Sequence, residues 1–203
     1  MQVIECNHQW ASPLQPRKAT RRIIIHHAAS AGDVDAATVH RWHLQNGWSG
    51  VGYAYLIRMN GAIERGRPED AVGAHARDNN ADSIGICLAG NIDLAPPPVP
   101  QMLALVALIR DIWSRYGTLP VIGHADVNPT ACPGKHFPWL WLREQLAPKP
   151  IPPIQSRVGL VFRGVPVEGG GFLIGGMSYV PVRFLAEKLG AKVDWRDGTV
   201  VIE

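Results

Sequence analysis

The chain has 203 residues, of which 46% are apolar, 18% charged and 7% aromatic. This length suits one well-filled domain with a small companion, and the apolar content excludes an intrinsically disordered chain. The longest apolar run, Met102–Ile109, is far shorter than the roughly 18 residues of a membrane span, so membrane insertion is not expected. A formal net charge of +3 is too small and too scattered to indicate nucleic-acid binding.

The N-terminus and the cysteines bear on targeting and redox state. The N-terminal residues lack the basic-then-apolar pattern of a signal peptide, which predicts synthesis and initial retention in the cytoplasm. The cysteines, Cys6, Cys87 and Cys132, are an odd and widely spaced set. They exclude a disulfide framework and leave the role of each thiol open.

A proline-rich stretch marks a domain boundary. Four prolines fall within residues 148–157, where they disfavour a helix or a central strand and favour an extended spacer. We therefore predict a larger domain over residues 1–147, a linker over 148–157 and a small α+β domain over 158–203. The excess positive charge belongs to the part before residue 158.

Strand and helix signals alternate through the larger part. A helix is predicted to begin after a cap at Asp33 or Asp35 and to end at Gly47, and Asn60-Gly61 predicts a β-hairpin. Strands are predicted over residues 21–27, 53–58, 62–65, 83–89 and 121–122, and further helices over 101–116 and 138–146. This interleaving predicts an α/β fold with a mixed central sheet flanked by helices. In the small domain, strands at 158–162 and 165–167, a helix over 179–189 and two final strands predict a ββαββ-like unit.

A histidine and a cysteine in one proline-containing loop suggest a metal site. His124 and Cys132 are eight positions apart in HADVNPTACP. Zinc takes imidazole nitrogen at about 2.0–2.1 Å and thiolate sulfur at about 2.3 Å, and a catalytic site has three protein ligands and one open position. His26 or His27, at the end of the first strand, can supply the third ligand; adjacent strand residues point to opposite faces, so only one of them does so.

Several segments together identify a family. IIIHHAAS, WHLQNGWSGVGYAYLI, MNGAIERGRPEDAVGAHA, NNADSIGICLAGN and GHADVNPTACPG, in this order within Arg21–Trp141, resemble the type 2 N-acetylmuramoyl-L-alanine amidases. That family includes phage lysozyme-like amidases and animal peptidoglycan recognition proteins. The resemblance implies the zinc amidase fold, a Zn²⁺ cofactor, and hydrolysis of the amide between N-acetylmuramic acid and L-alanine in peptidoglycan.

The resemblance also assigns residues. It places the metal ligands on His26, His124 and Cys132, with His27 beside the site or in the core. It implies catalytic roles for Tyr53, as a hydrogen-bond donor or proton donor, and for Thr130, which stands where many phage members carry a lysine. Another branch has a glutamate acid/base at the position of Cys87, so this role must be filled otherwise here.

Three further residues, His75, Asn79 and Asn80, fall where the family lines its substrate groove; the alternative is a loop that packs and caps the next strand. His40 and His43 are three apart on the first helix and can in principle share a metal, but they look more like an ordinary helix surface and core edge. Asp126 is either an orienting partner of a ligand histidine or a turn former.

The tail resembles the stalk domain named for the N-terminal part of copper amine oxidases, on the residues MSYVPVRFLAEKLGAKVDW and TVVIE. It contains no His or Cys, so copper binding is not expected. The resemblance implies wall attachment or formation of a homodimer.

The predicted function is therefore a peptidoglycan amidase of the phage or prophage endolysin type, held in the cytoplasm until a holin opens the membrane to the wall. Two alternatives are a non-catalytic peptidoglycan-binding protein and a cytoplasmic wall-recycling amidase. Non-catalytic members commonly lack the ligand cysteine, whereas Cys132 is present here.

Overall fold

The computed structural model divides the chain into two compact units, Met1–Ala147 and Pro148–Glu203. It describes residues 2–148 and, beyond them, 154–159, 161–162, 165–166, 171–174, 177–179, 186–187, 190–196 and 199–202. No helix in this described part of the chain combines the length and apolarity needed to cross a bilayer.

The N-terminal unit is built on a six-stranded mixed sheet in the order β1-β4-β3-β5-β2-β6. Its strands are β1 (Val3–Ile4), β2 (Arg22–His27), β3 (Tyr55–Ile57), β4 (Ile63–Arg65), β5 (Ser83–Leu88) and β6 (Val121–Gly123). All neighbouring pairs are parallel except the β3–β4 hairpin. The predicted mixed sheet is confirmed; β1, which is only two residues long, was not predicted.

Three helices cover this sheet: α1 (Ala36–Gln45), α2 (Val99–Tyr116) and α3 (Trp139–Leu146). Asp35 rather than Asp33 caps α1, because its carboxylate accepts the Thr38 N–H at 2.7 Å, whereas Asp33 binds Arg58. α2 begins at Val99, two residues before the predicted start, because a proline is tolerated in the first turn of a helix, where the backbone N–H has no helical partner.

The two faces of the sheet carry different clusters. Alternate residues of the central strands point to a large apolar core against α2 and α3, which includes Ile25, Ile86 and Leu105. The opposite face carries a smaller cluster under α1, made by Ala36, Val39, Val51 and Leu56. On this second face, Leu56, Cys87 and His26 are neighbours across β3, β5 and β2.

The C-terminal unit contains short antiparallel strands. They are β7 (Ile154–Val158), β8 (Val161–Phe162), β9 (Val165–Pro166), β10 (Gly171–Ile174), β11 (Met177–Tyr179), β12 (Val193–Arg196) and β13 (Thr199–Ile202). They pair as a three-stranded sheet, β11-β10-β7, and as two hairpins, β8-β9 and β12-β13. Of the helix predicted over 179–189, only Tyr179, described as the end of β11, and residues 186–187, described as helical, lie inside the described residues.

Candidate functional site

Two histidines meet at the carboxyl edge of the sheet. His26 lies near the end of β2 and is only 1% exposed, and His124 opens a single helical turn, His124–Asp126, directly after β6. Because β2 and β6 are parallel neighbours, their carboxyl ends lie at the same edge. The two imidazole centroids are 4.5 Å apart.

Cys132 completes this group from the loop that follows. Its carbonyl accepts the Ala125 N–H at 2.8 Å, which fixes the loop on the His124 turn. Its Sγ lies 3.7 Å from Nδ1 of His26 and accepts the His27 N–H at 3.4 Å. Ligand atoms of His26, His124 and Cys132 all lie within 4.8 Å of one another.

This donor set fits zinc. Tetrahedral bonds of about 2.1 Å to nitrogen and about 2.3 Å to sulfur put ligand atoms about 3.4–3.6 Å apart, close to the spacing of Cys132 Sγ and His26 Nδ1. His27 points elsewhere: its Nδ1 accepts the Ile92 N–H at 3.0 Å. The strand alternation therefore brings His26, and not its neighbour, to the group.

Burial controls the charge of these side chains. Burial, reinforced by the neighbouring histidines His75 and His124, holds the pKa of His26 well below its usual range, and burial also lowers the pKa of His124. Both imidazoles therefore keep an unprotonated nitrogen that can bind a metal ion at neutral pH. Burial raises the pKa of the Cys132 thiol to about 11, so a thiolate forms here at neutral pH only with a cation beside it.

His75 contacts the other side of the His26 ring. Its Nδ1 is 2.9 Å from Nε2 of His26, and its Nε2 is 3.4 Å from Oγ of Ser83, which in turn donates to the Asn79 carbonyl at 2.5 Å. The His75 ring fits only because Gly85 has no side chain: a Cβ at Gly85 would be 2.5 Å from its Cδ2. Burial lowers the pKa of His75 to about 3, so the ring is neutral.

Tyr53 lies against the same histidine. Its ring centroid is 5.0 Å from that of His26 and 6.3 Å from that of His75. Burial raises the pKa of its hydroxyl well above the usual value, and the neighbouring thiols of Cys87 and Cys132 raise it further. Tyr53 is thus a protonated hydroxyl at the edge of the ligand group.

An open groove of about 630 Å³ borders the group. It is lined by Trp48, Ala74, His75, Ala76, Arg77, Asn80, His124, Asn128, Pro129 and Thr130. Trp48 is half exposed, and Thr130 is exposed with its Oγ1 accepting the Cys132 N–H at 3.2 Å. The groove therefore offers an aromatic surface and a hydroxyl group next to the histidines.

The residues predicted to bind substrate have internal partners in the structure. The Asn80 side chain accepts the N–H groups of His75 and Ala76, and Asn79 Nδ2 donates to the Arg77 carbonyl at 2.9 Å. His75 and Asn80 line the groove, whereas Asn79 is not among its lining residues. Substrate binding by these three residues stays a prediction.

Some functional contacts had no clear signal in the sequence. Asp126 is a turn former that accepts the Gly123 N–H, and Asn128, not Asp126, lies within 3.2 Å of His124 Nε2. The contact of His75 with His26 joins residues 49 positions apart. Its one available signal was Gly85, since a glycine inside a buried strand marks close approach of another group.

Comparison with known proteins identifies the family of this chain. Residues 16–135 match the family model described as N-acetylmuramoyl-L-alanine amidase. The chain belongs to this amidase family. Residues 162–203 match the model of the copper amine oxidase N-terminal domain.

Relatives of the amidase family come from phages, bacteria and insects. The endolysin of Klebsiella phage KP32 is 36% identical over 137 residues, which are 64% of this chain and 91% of the relative. A peptidoglycan-recognition protein of Drosophila melanogaster is 33% identical over 138 residues, 62% of this chain and 76% of the relative. The solved amidase LysC of Clostridium intestinale superposes with a TM-score of 0.69 at 37% identity, covering 72% of this chain and 97% of that one.

Proposed function

We propose that this member of the family hydrolyses the amide between N-acetylmuramic acid and L-alanine of peptidoglycan with one Zn²⁺ held by His26, His124 and Cys132. The observation that carries the proposal is the convergence of these three ligand atoms within 4.8 Å, beside an open groove that His124 lines. When bound, Zn²⁺ acts as a Lewis acid and lowers the pKa of a water molecule from 15.7 toward about 7.

The chain's own groups then orient the substrate and stabilise charge. The groove binds the stem peptide and the sugar so that the amide carbonyl faces the ligand group. Tyr53, kept protonated by burial, donates a hydrogen bond to the oxygen on which negative charge develops. The Thr130 hydroxyl accepts from the Cys132 N–H, so its own proton is free to donate to the same oxygen or to the substrate.

His75 orients the metal ligand His26. With Nδ1 of His26 facing Cys132, its Nε2–H donates to Nδ1 of His75, whose Nε2–H donates to Ser83. A ligand histidine is commonly fixed in this way through its second ring nitrogen. Because these hydrogen bonds all run in one direction, from His26 through His75 to Ser83, the lone pair of His26 stays on Nδ1, where the metal binds.

The test combines metal and product analysis on the full chain. Purified wild type and Cys132→Ser are compared for zinc content and for release of new L-alanyl amino groups from cell wall. We expect about one zinc per chain and amine release for wild type, and loss of both for Cys132→Ser because serine is a poor zinc ligand. His136→Ala, at an exposed position outside the groove lining, is the matched control and should behave as wild type.

The products decide between functions. Release of reducing sugar without new amino groups would identify a glycosidase and contradict the proposal. A zinc-loaded wild type that binds wall but releases nothing would favour the peptidoglycan-binding alternative.

For the C-terminal unit we propose attachment to the wall, by which the groove is held near its substrate. We also propose synthesis in the cytoplasm and release to the wall through a holin, which the similarity to phage endolysins supports. A chain ending at Ala147 should keep its activity on soluble muropeptides and bind intact wall less tightly. Formation of a homodimer through this unit stays a prediction, which sedimentation of the full chain and of the shortened chain tests.

A further inference from the structure

The segment that carries Tyr53 is a buried loop with unusual hydrogen-bond partners. Residues 50–54 lie between α1 and β3, outside regular structure, and Val51, Gly52 and Ala54 are buried. Buried backbone N–H and C=O groups need partners, and irregular segments usually avoid burial for this reason. Backbone groups of neighbouring segments bind part of this loop, and three side chains from other elements bind the rest.

Two histidines of α1 accept consecutive backbone N–H groups of the loop. Val51 N–H donates to Nδ1 of His40 and Gly52 N–H to Nδ1 of His43, both at 3.1 Å. An imidazole accepts a hydrogen bond only through an unprotonated nitrogen, so Nδ1 is unprotonated in both rings. The other nitrogen of His40, Nε2, then carries the proton and donates to the Gln9 carbonyl at 3.0 Å.

Arg67 binds the same loop from the opposite side. Its Nε donates to the Val51 carbonyl at 3.0 Å and its backbone N–H to the Tyr53 carbonyl at 2.8 Å. Its guanidinium also donates to the Val72 carbonyl and to Oγ of Ser49, and the residue is 5% exposed. A buried guanidinium bonded to neutral oxygens is costly to place, which points to a role in holding this loop.

The space around the loop is shaped for these partners. A Cβ at Gly50 would lie 2.4 Å from the His40 ring, and a Cβ at Gly52 would lie 2.0 Å from the Ala74 carbonyl oxygen. Gly50 also has φ +125°, which side chains rarely adopt. Glycine at position 50 therefore lets the loop approach His40, and glycine at position 52 lets it approach the Ala74 carbonyl.

We propose that His40, His43 and Arg67 form a clasp that positions the Tyr53 hydroxyl at the zinc site. The clasp fixes the backbone at Val51 and Gly52, directly before Tyr53, and at the Tyr53 carbonyl. The His43 ring itself lies 5.6 Å from the Tyr53 ring. These are positioning residues, since they act through Tyr53. The proposal rests on the catalytic role of Tyr53 in the proposed function.

The test uses His43, because its replacement by Asn or by Gln distinguishes the position of the acceptor atom from the mere presence of a polar side chain. His43→Asn puts an amide oxygen near the position of Nδ1 and can still accept the Gly52 N–H, whereas His43→Gln carries its amide one bond farther out and His43→Leu accepts nothing. Displacement of a catalytic group by about 1 Å can cost about 100-fold. We expect kcat on a soluble muropeptide to fall by about 10-fold to 100-fold for the Leu and Gln variants, with KM and zinc content retained.

The Asn variant should keep most of the wild-type kcat, and Gln45→Ala, at an exposed position of α1, should be unchanged. In a Tyr53→Phe background, His43→Leu should lower kcat no further, because its effect passes through the missing hydroxyl. A decrease of the same size in both backgrounds would overturn the proposal.

A second readout does not depend on activity. The full chain, which has four tyrosines, is labelled with fluorotyrosine, and the Tyr53 resonance is assigned by its loss in Tyr53→Phe. His43→Leu should shift or broaden this resonance and His43→Asn should restore it; an unchanged resonance in His43→Leu contradicts the clasp. If Tyr53→Phe is fully active but the resonance responds as expected, the clasp holds and the catalytic role of Tyr53 fails.

Discussion

The two faces of the central sheet use the same strands for opposite purposes. On the face towards α2 and α3, strand residues such as Ile25 and Ile86 are fully buried against helix residues such as Leu105 and Ile109. On the face towards α1, the corresponding strand positions are His26, Gly85 and Cys87, and they are equally buried. Alternation along β2 and β5 thus puts an apolar core and a polar site one residue apart.

This difference separates stability from chemistry. Burial of apolar side chains stabilises the unit in proportion to area, with little dependence on direction. The polar face instead needs a partner for every buried donor and acceptor, so its side chains are held in one arrangement. We call the face towards α2 and α3 the helix face and the face towards α1 the site face. We expect substitutions on the helix face to change the free energy of unfolding, and substitutions on the site face to change metal affinity and turnover.

The largest expected effect on stability comes from the helix face. Leu105→Ala removes a fully buried side chain of α2 and should lower the free energy of unfolding by about 2–5 kcal/mol, because a cavity is left in the core. Denaturant unfolding measures this, with Leu103→Ala, 55% exposed on the same helix, as the control. The folded Leu105→Ala protein should retain the wild-type zinc affinity. Weaker zinc binding would contradict the expectation that the two faces govern stability and metal affinity separately.

The reciprocal change is on the site face. His75→Leu removes the partner of His26 Nε2 and should weaken zinc binding by about 10-fold to 100-fold, the usual consequence of losing a group that orients a metal ligand. Competition with a fluorescent chelator gives the affinity. His75→Asn, whose amide oxygen lies near the position of Nδ1, should recover part of it. Equal affinities for the Leu variant and wild type would show that His75 has no orienting role.

A pH-dependent contribution is expected at Glu69, which binds Arg115 and Tyr116 of α2. Burial alone would raise its pKa, but hydrogen bonds from Arg115, Tyr55 and Tyr116 outweigh burial and lower it. A carboxylate with a lowered pKa stabilises the fold above its unfolded pKa of about 4.3, and this contribution is lost as the pH falls through the folded value. Glu69→Gln should therefore destabilise by about 1–3 kcal/mol at pH 7. Unfolding curves from pH 7 to pH 3 should converge, and a constant difference would contradict the assignment.

The smallest effect is expected for an exposed ion pair on α2. Asp111 binds Arg115 at 2.8 Å in an i,i+4 pair, and both side chains are about two-fifths exposed. Asp111→Asn should cost about 0.3–0.5 kcal/mol, and salt should reduce the difference further. A loss as large as that of Glu69→Gln would mean that the pair is not screened by solvent.

The helix face and the order of elements were predictable because they depend on short-range patterns. The apolar strand ending in His26, the Asn60-Gly61 hairpin and the helix after Asp35 each follow from local periodicity, turn or cap signals. The family resemblance added three predicted metal ligands, and the structure brings their side chains together.

The site face was less predictable because its contacts join distant segments. His40 and His43 looked like the surface and core edge of a helix, yet they accept loop N–H groups 11 and 9 positions away in the chain. Likewise, nothing in the local sequence of Arg67 shows that its guanidinium binds the carbonyls of Val51 and Val72. Such contacts depend on the path of an irregular loop, and periodicity carries no information about that path.

The wide separation of the ligand residues has a consequence for the order of events during synthesis. His26 and Cys132 are 106 positions apart, and β6, which delivers His124, pairs with β2. A growing chain that has not yet reached Cys132 holds an incomplete ligand set, and even a complete chain must first close this long-range strand pairing, a slow step in folding. With the zinc site proposed above, metal uptake would follow tertiary assembly, and the rate at which refolding protein captures zinc would report the docking of β6 on β2.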